Sequence, residues 1–233
     1  MKGLSLWQQF WYYLGHNGTY VLQQFNHHFA ISVYGVLLAA LVGIPLGILI
    51  SRHHHLNGPI ISIANIIQTI PSLAMVSMLM LVLGLGDQTV IVANFLYSLL
   101  PIIKNTAAGL DSVSPVSLDA GRGLGMTKWQ LLVMVEMPLS VSVIMAGIRN
   151  ALVVAIGITA IGSFVGAGGL GDIIIRGTNA TNGGAIILAG ALPTALMAII
   201  TDWVLAGFSI NWHRTPRKKR NKAKTASFMA TVK

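Results

Sequence analysis

Ala30 to Ile50 reads AISVYGVLLAALVGIPLGILI, 21 residues without a charge, closed by Ser51-Arg52. At 1.5 Å of rise per helical residue, about 20 apolar residues cross the roughly 30 Å of bilayer hydrocarbon. Outward from this stretch the chain repeats the pattern. Ile60 to Gly86 is a second apolar run, interrupted by Pro71, and Gln88 to Ile103 is a shorter third that ends at Lys104, whose long side chain can snorkel to the interface. A fourth span is expected from Pro138 to Ile161 with Arg149 inside it, and a fifth from Gly183 to Phe208 with Asp202 near its end. The expected fold class is therefore an all-α integral membrane protein with five transmembrane helices.

Composition agrees. Charged residues make up 9% of the 233 residues, against roughly 25% in ordinary soluble domains. A soluble fold of this size needs far more charge to cover its surface. The net charge of +9 is local: of the 15 Lys and Arg, eight lie between His213 and Lys233, leaving seven against six acidic residues. Residues 213–233 read as a polybasic tail attracted to anionic membrane lipid, not as a nucleic-acid-binding face. There are no cysteines, so thiolate metal sites and thiol catalysis are excluded.

Residues 1–28 are uncharged from Leu4 onward and rich in aromatics (Trp7, Phe10, Trp11, Tyr12, Tyr13, Tyr20, Phe25). Such side chains favour the headgroup layer, so this segment is expected to lie along the outer interface. Residues 29–212 then form the spanning domain. Basic residues favour the cytoplasmic side. With the tail inside, Arg52, Lys104, Arg122 and Lys128 fall inside as well, and only Lys2 and Arg176 fall outside. The expected topology puts the N-terminus outside and the C-terminus in the cytoplasm.

One connection is too long for a turn. Between spans three and four, Val116–Gly123 reads as a short helix, Gly125 as a turn, and Trp129–Met137 as a second helix stopping at Pro138. Trp129, Leu132 and Val133 recur at helical spacing, giving it one apolar stripe. A cytoplasmic helix-turn-helix of this kind suggests a docking surface.

Asp119-Ala120-Gly121, then Gly125, then nine residues, then Val135-Glu136-Met137-Pro138 resembles the EAA loop of ATP-binding-cassette (ABC) importer permeases, here about residues 116–138. Asp119, Gly121, Val135 and Met137 are conservative departures from that motif. Further segments narrow the likeness: Gln68-Thr69-Ile70-Pro71-Ser72, Phe95-Leu96-Tyr97-Ser98-Leu99-Leu100-Pro101, Gly125-Met126-Thr127-Lys128-Trp129-Gln130, and Gly166-Ala167-Gly168-Gly169-Leu170-Gly171-Asp172. Together they look like the permease subunit of bacterial importers for glycine betaine, carnitine, choline and related osmoprotectants. The resemblance implies a type I ABC-importer permease (MetI-like) architecture in the bacterial cell membrane. It implies three partners: an ABC ATPase subunit, an extracellular substrate-binding protein, and a second permease chain, the same or homologous. It also implies that Asp119, Ala120, Gly121, Gly125, Met126, Trp129 and Pro138 form the ATPase-coupling surface. ATP and Mg would belong to the partner ATPase, leaving this chain without a cofactor and without an enzymatic activity of its own. A methionine-type permease of similar layout is the alternative within the superfamily; an autonomous ion-coupled carrier would need a mid-membrane carboxylate, and none lies clearly there.

Other patterns carry less. Gly166 to Gly171 matches GxGxxG, but a membrane span precedes it and no acid lies near position 191, so it does not read as a nucleotide site. His53-His54-His55 reads as an interfacial loop, because three consecutive residues cannot face one metal ion. Two polar stripes are stronger. Asn65, Gln68, Thr69 and Ser72 share one helical face in span two, and Asn94, Tyr97 and Ser98 share one in span three. Polar faces are costly towards lipid, so both are expected to turn inward, to line a translocation path or to bond between helices. Arg149 lies about 16 Å beyond Pro138, near mid-bilayer, and a charge there needs a partner or water. Asp202 is the candidate partner, with a gating or structural role.

Overall fold

The computed structural model describes residues 5–212, and side chains through 207. Every regular element among the described residues is helical. The order is α1 (Leu6–Arg52), a 3-10 turn (His54–Leu56), α2 (Asn57–Thr69), α3 (Ser72–Leu83), α4 (Asp87–Asp111), α5 (Pro115–Gly123), α6 (Lys128–Leu131), a π turn (Leu132–Glu136), α7 (Met137–Gly162), a 3-10 turn (Ser163–Val165), α8 (Leu170–Thr178) and α9 (Gly184–Trp212). Among them, four helices are long and apolar enough to cross a membrane, and the bent α2–α3 pair raises the count to five. The polybasic tail lies outside the described residues.

Four expectations are corrected. The boundary expected between residues 1–28 and a spanning domain from Phe29 does not divide the structure, because the helix of the first span runs back through it to a kink at Asn17 and, beyond that, to Leu6. Ser5 and Gln8 start it with a reciprocal capping box, and its break falls at Asn17, where φ and ψ leave the helical region. Packing of Phe10, Val21 and His28 into the bundle carries the helical structure back past residue 29.

The second span does not merely kink at Pro71. α2 stops at Thr69, and α3 leaves at 95°. The residue before a proline is pushed from the α region, and Ile70 is extended at φ −70°, ψ 127°. The carbonyl of Ile67 accepts from the Ile70 N–H instead of being left open. Lys104 does not end the third helix, which runs on to Asp111.

Pro138, finally, does not stop a coupling helix. The chain passes from α6 through the π turn directly into α7, with Pro138 in the first turn of α7. A proline ring clashes with the carbonyl four residues back in an α-helix; widening the turn to the π form is how the chain continues without that clash. The change of register also splits the expected stripe: Leu132 is buried while Trp129 and Val133 face outward.

α4 is the centre of the bundle. It is the least apolar of the four spanning helices and the most buried, because its polar groups meet protein, not lipid. Gly35, Ala39, Gly43 and Gly47 on α1 repeat every four residues and face α4. A Cβ on Gly35 would stand 2.4 Å from Asn94 Cβ, and one on Gly47 would stand 2.5 Å from Thr106 Cβ. Small residues at this spacing let two backbones approach closely in lipid, where dispersion and hydrogen bonds drive helix association. Gly147 makes the same approach from α7, meeting Asn105 and Pro101.

The bundle has two distinct ends. Arg52, Glu136 and helices α5–α6 lie at one. The Gly84–Gly86 turn, Asp87, and the Ser163–Leu170 loop lie at the other, joined by the Gly86 N–H to the Val165 carbonyl at 2.8 Å.

Candidate functional site

At the first end, α5 and α6 form a compact helical hairpin. Pro115 occupies the first turn of α5, where its missing N–H costs nothing. Thr127 and Gln130 cap α6 reciprocally. Gly125 has φ +77°, a left-handed conformation that residues with a Cβ avoid. Gly121 is buried, and a Cβ there would stand 2.5 Å from Leu131 Cδ1, so its small size lets α5 close on α6. Asp119 and Arg122 form an exposed ion pair at 3.1 Å. Ala120 is exposed and Met126 half-buried. Val116, Leu124 and Trp129 on the hairpin are strongly exposed, as is Met134 in the π turn that follows it. Large apolar side chains left exposed on so short an element make it a candidate contact surface. A cavity of about 620 Å³ separates the hairpin from the end of α1, lined by Ile48, Arg52, Arg122, Lys128 and Trp129 among others.

Of the EAA residues, Pro138 alone lies off this hairpin, in α7. Glu136, inside the motif, escaped sequence reasoning as a site residue. Its carboxylate is buried and paired with Arg52. The only signal was a lone acid in a spanning helix with a cation 84 positions away, and nothing in the spacing joins the two.

The polar stripes separate. Ser72 starts α3, so the 95° bend removes it from the face of Asn65, Gln68 and Thr69. Asn65 and Thr69 are exposed; Thr69 bonds its own helix, and Asn65 accepts from Lys104 at 3.4 Å. Asn94 and Ser98 are fully buried between helices and line no open path in this structure. Asn94 donates to Thr159 at 2.9 Å, and Thr159 is 2.9 Å from Ser32, which ties α4, α7 and α1 together. Tyr97 faces the break in the second span. Its hydroxyl donates to the Ile70 carbonyl, while Gln68 Nε2 donates to the Tyr97 carbonyl at 2.9 Å. Reciprocal bonds thus hold the bend against α4, and they satisfy a carbonyl that the proline break would otherwise leave bare in lipid.

Arg149 Nε lies 3.0 Å from Asp202 Oδ1, and both side chains are more than a third exposed. The structure therefore joins the two charges, α7 to α9, on a partly open face. Among the described residues no group of three or more His, Cys, Asp or Glu could hold a metal ion.

At the other end, the glycine-rich loop folds onto α1. The Gly169 N–H donates to Gln24 Oε1 at 2.6 Å. The Leu170 N–H donates to His28 Nδ1 at 3.2 Å, which leaves His28 Nε2 to donate to the Ile156 carbonyl at 2.9 Å. Gly169 has φ +78°, and a Cβ there would stand 3.0 Å from His28 Nδ1. The loop is thus a latch of backbone on side chains, with no strand before it and no phosphate cradle. Tyr20 donates to Asp172 at 2.7 Å, and Arg176 pairs with the same carboxylate at 2.8 Å. His27 Nε2 is 3.0 Å from the Ala167 carbonyl and 3.3 Å from Asp87. These α1 residues were invisible as partners in the sequence, since their contacts span 60 to 152 positions.

Residues 35–209 match the family described as binding-protein-dependent transport system inner membrane component. The chain is 61% identical over 218 residues to the glycine betaine/carnitine/choline transport system permease protein OpuCD of Bacillus subtilis (strain 168), covering 94% of this chain and 95% of that one. It is 42% identical over 194 residues to the glycine betaine/carnitine/choline transport system permease protein OpuCB of the same organism, covering 83% and 89%. In fold it is similar to an inward-facing structure of the MetNI methionine ABC transporter, with a TM-score of 0.74 at 19% identity over 83% of this chain and 96% of that one.

Proposed function

The chain belongs to the family of inner-membrane components of binding-protein-dependent transport systems, and on that premise we propose that it is the permease subunit of an ABC importer for quaternary ammonium osmoprotectants: glycine betaine, carnitine or choline. The observation that carries this reading is the hairpin of α5 and α6, which leaves Val116, Leu124 and Trp129 exposed at one end of a membrane bundle and carries the EAA spacing. The substrate class is supported by the OpuCD relative at 61% identity.

The mechanism follows from the parts. ATP and Mg act on a separate ATPase, which seats the hairpin in a surface groove. Dimerisation of two such ATPases draws two hairpins together. The rigid hairpin passes that movement through the π turn to α7 without a flexible linker. The second permease chain faces the uncovered sides of α2 and α3, where Ile63, Ile66, Leu81 and Val82 are exposed. Two different permeases that share one system name, OpuCD and OpuCB, support a heterologous partner. The Asn65–Thr69 side of α2 and the Arg149–Asp202 pair line or gate the route, and a substrate-binding protein delivers cargo at the outer end. The hairpin and tail are cytoplasmic, and the N-terminus is outside.

Reconstitution tests this. The chain, its ATPase, a second permease and the binding protein in proteoliposomes should import a radiolabelled betaine, carnitine or choline only with ATP inside the coupling compartment. Transport by the chain alone, without ATPase or ATP, overturns the reading.

A further inference from the structure

Two spanning helices reach the coupling hairpin by different routes. α7 is continuous with it through the π turn. α1 is not, yet its last residue, Arg52, closes on Glu136 within that turn. The Glu136 side chain is 3% exposed and that of Arg52 is 43% exposed. Glu136 Oε1 has no hydrogen-bond partner among the described residues, so the arginine on Oε2 supplies the compensation for burying this carboxylate. The Glu136 carbonyl is fixed separately by the Ser140 hydroxyl at 2.7 Å.

Stability alone is a poor reason for such a pair. A buried ion pair adds little over well-packed apolar residues, while its geometry is demanding. What the pair does uniquely is join the end of α1 to this wide turn. π turns are rare and occur often at functional sites. We propose that the Arg52–Glu136 pair is a positioning tie that carries movement of the coupling hairpin to α1, so that α1 and α7 move together when the ATPases close. This rests on the importer reading above. Without the tie, hairpin movement drives α7 directly and α1 lags, and ATP is spent without a completed change of access.

The test uses the reconstituted complex of chain, ATPase, second permease and binding protein. Three quantities are measured: ATP hydrolysed per substrate imported, subunit co-purification, and melting temperature. Arg52→Gln and Glu136→Gln should each raise the ATP cost per substrate about tenfold in complexes that still co-purify. The double variant R52Q/E136Q should be no worse than either single one, because both remove the same tie. Arg52→Lys, which keeps the cation, should stay near the wild-type ratio. Should Glu136→Gln fail to assemble, the half-exposed Arg52 variants carry the comparison. A wild-type ratio in the Arg52→Gln complex overturns the tie, as does a lower melting temperature with an unchanged ratio. So does a double variant whose defect is the product of the single ones. Absence of ATP-dependent uptake by the wild-type complex overturns the importer reading and the tie with it.

Discussion

Gly35→Ala places one methyl group where α1 and α4 touch. The added Cβ would stand 2.4 Å from Asn94 Cβ and 3.0 Å from the Ile91 carbonyl oxygen. Carbon atoms rest at about 3.5–4.0 Å, so the helices must part locally by about 1 Å or more. Neither neighbour is the end of a flexible side chain, and Asn94 is also held to Thr159. Overpacking of this kind costs about 1–3 kcal/mol. Replacing Gly by Ala inside a helix returns about 0.5–1 kcal/mol, leaving a net loss of up to about 2.5 kcal/mol. At about 2–4 °C per kcal/mol for a chain of this size, the melting temperature should drop by up to about 10 °C. Gly15→Ala, in the same helix with nothing within 4 Å of its added Cβ, keeps the helical gain alone and should raise it by a degree or two. Thermal unfolding of the detergent-purified chain, followed by tryptophan fluorescence, measures both. If Gly35→Ala melts at or above Gly15→Ala, the α1–α4 contact is not the close-packed seam described.

Three further outcomes are expected. Gly125→Val, at φ +77° with open space around the Cβ, costs about 1–2 kcal/mol of backbone strain. ATP-driven uptake at matched expression should therefore fall roughly 5- to 30-fold, and near-normal uptake would show that this turn is not the coupling element. Tyr97→Phe removes the donor to the Ile70 carbonyl and costs about 1–3 kcal/mol. Spin labels on cysteines introduced at Ile63 and Leu81, in a chain with no native cysteine, should report a broader distance distribution across the bend; an unchanged one would mean that packing alone holds it. Arg149→Gln should lower uptake by stranding Asp202, and adding Asp202→Asn should recover part of it, as for a pair whose broken form is worse than its absence; additive losses would mean that the two charges act separately.

The five apolar runs and the hairpin between spans three and four were legible because each rests on local rules: length against bilayer thickness, and a glycine at the turn between two short helical patterns. Gly125 was readable for that reason, and the structure gives it the positive φ that the turn needs. Decisions made by distant packing were not legible. Pro71 in an apolar run permits either a kink or a full break, and the choice depends on Tyr97 being present to satisfy Ile70. Phe10, Val21 and His28 carry no local sign that they pack into a bundle, so the first helix was cut short at Phe29. Asn94 and Ser98 show the same limit: the stripe was visible, but whether it faced water or a neighbouring glycine was settled by α1. Glu136 and Arg52 carry opposite charges, yet no periodicity links positions in different helices.

The pinning of His28 gives α1 the mechanics of a splint. From its imidazole, fixed to α7 and α8 by two backbone bonds, about 36 Å of continuous helix runs to Arg52, while about 15 Å runs the other way to Gly18, just past the break. The far end of that long arm is held as well, by Glu136 in the turn that runs into α7. With both fixings on one neighbour, α1 is clamped along the length of α7 and turns only as far as α7 turns.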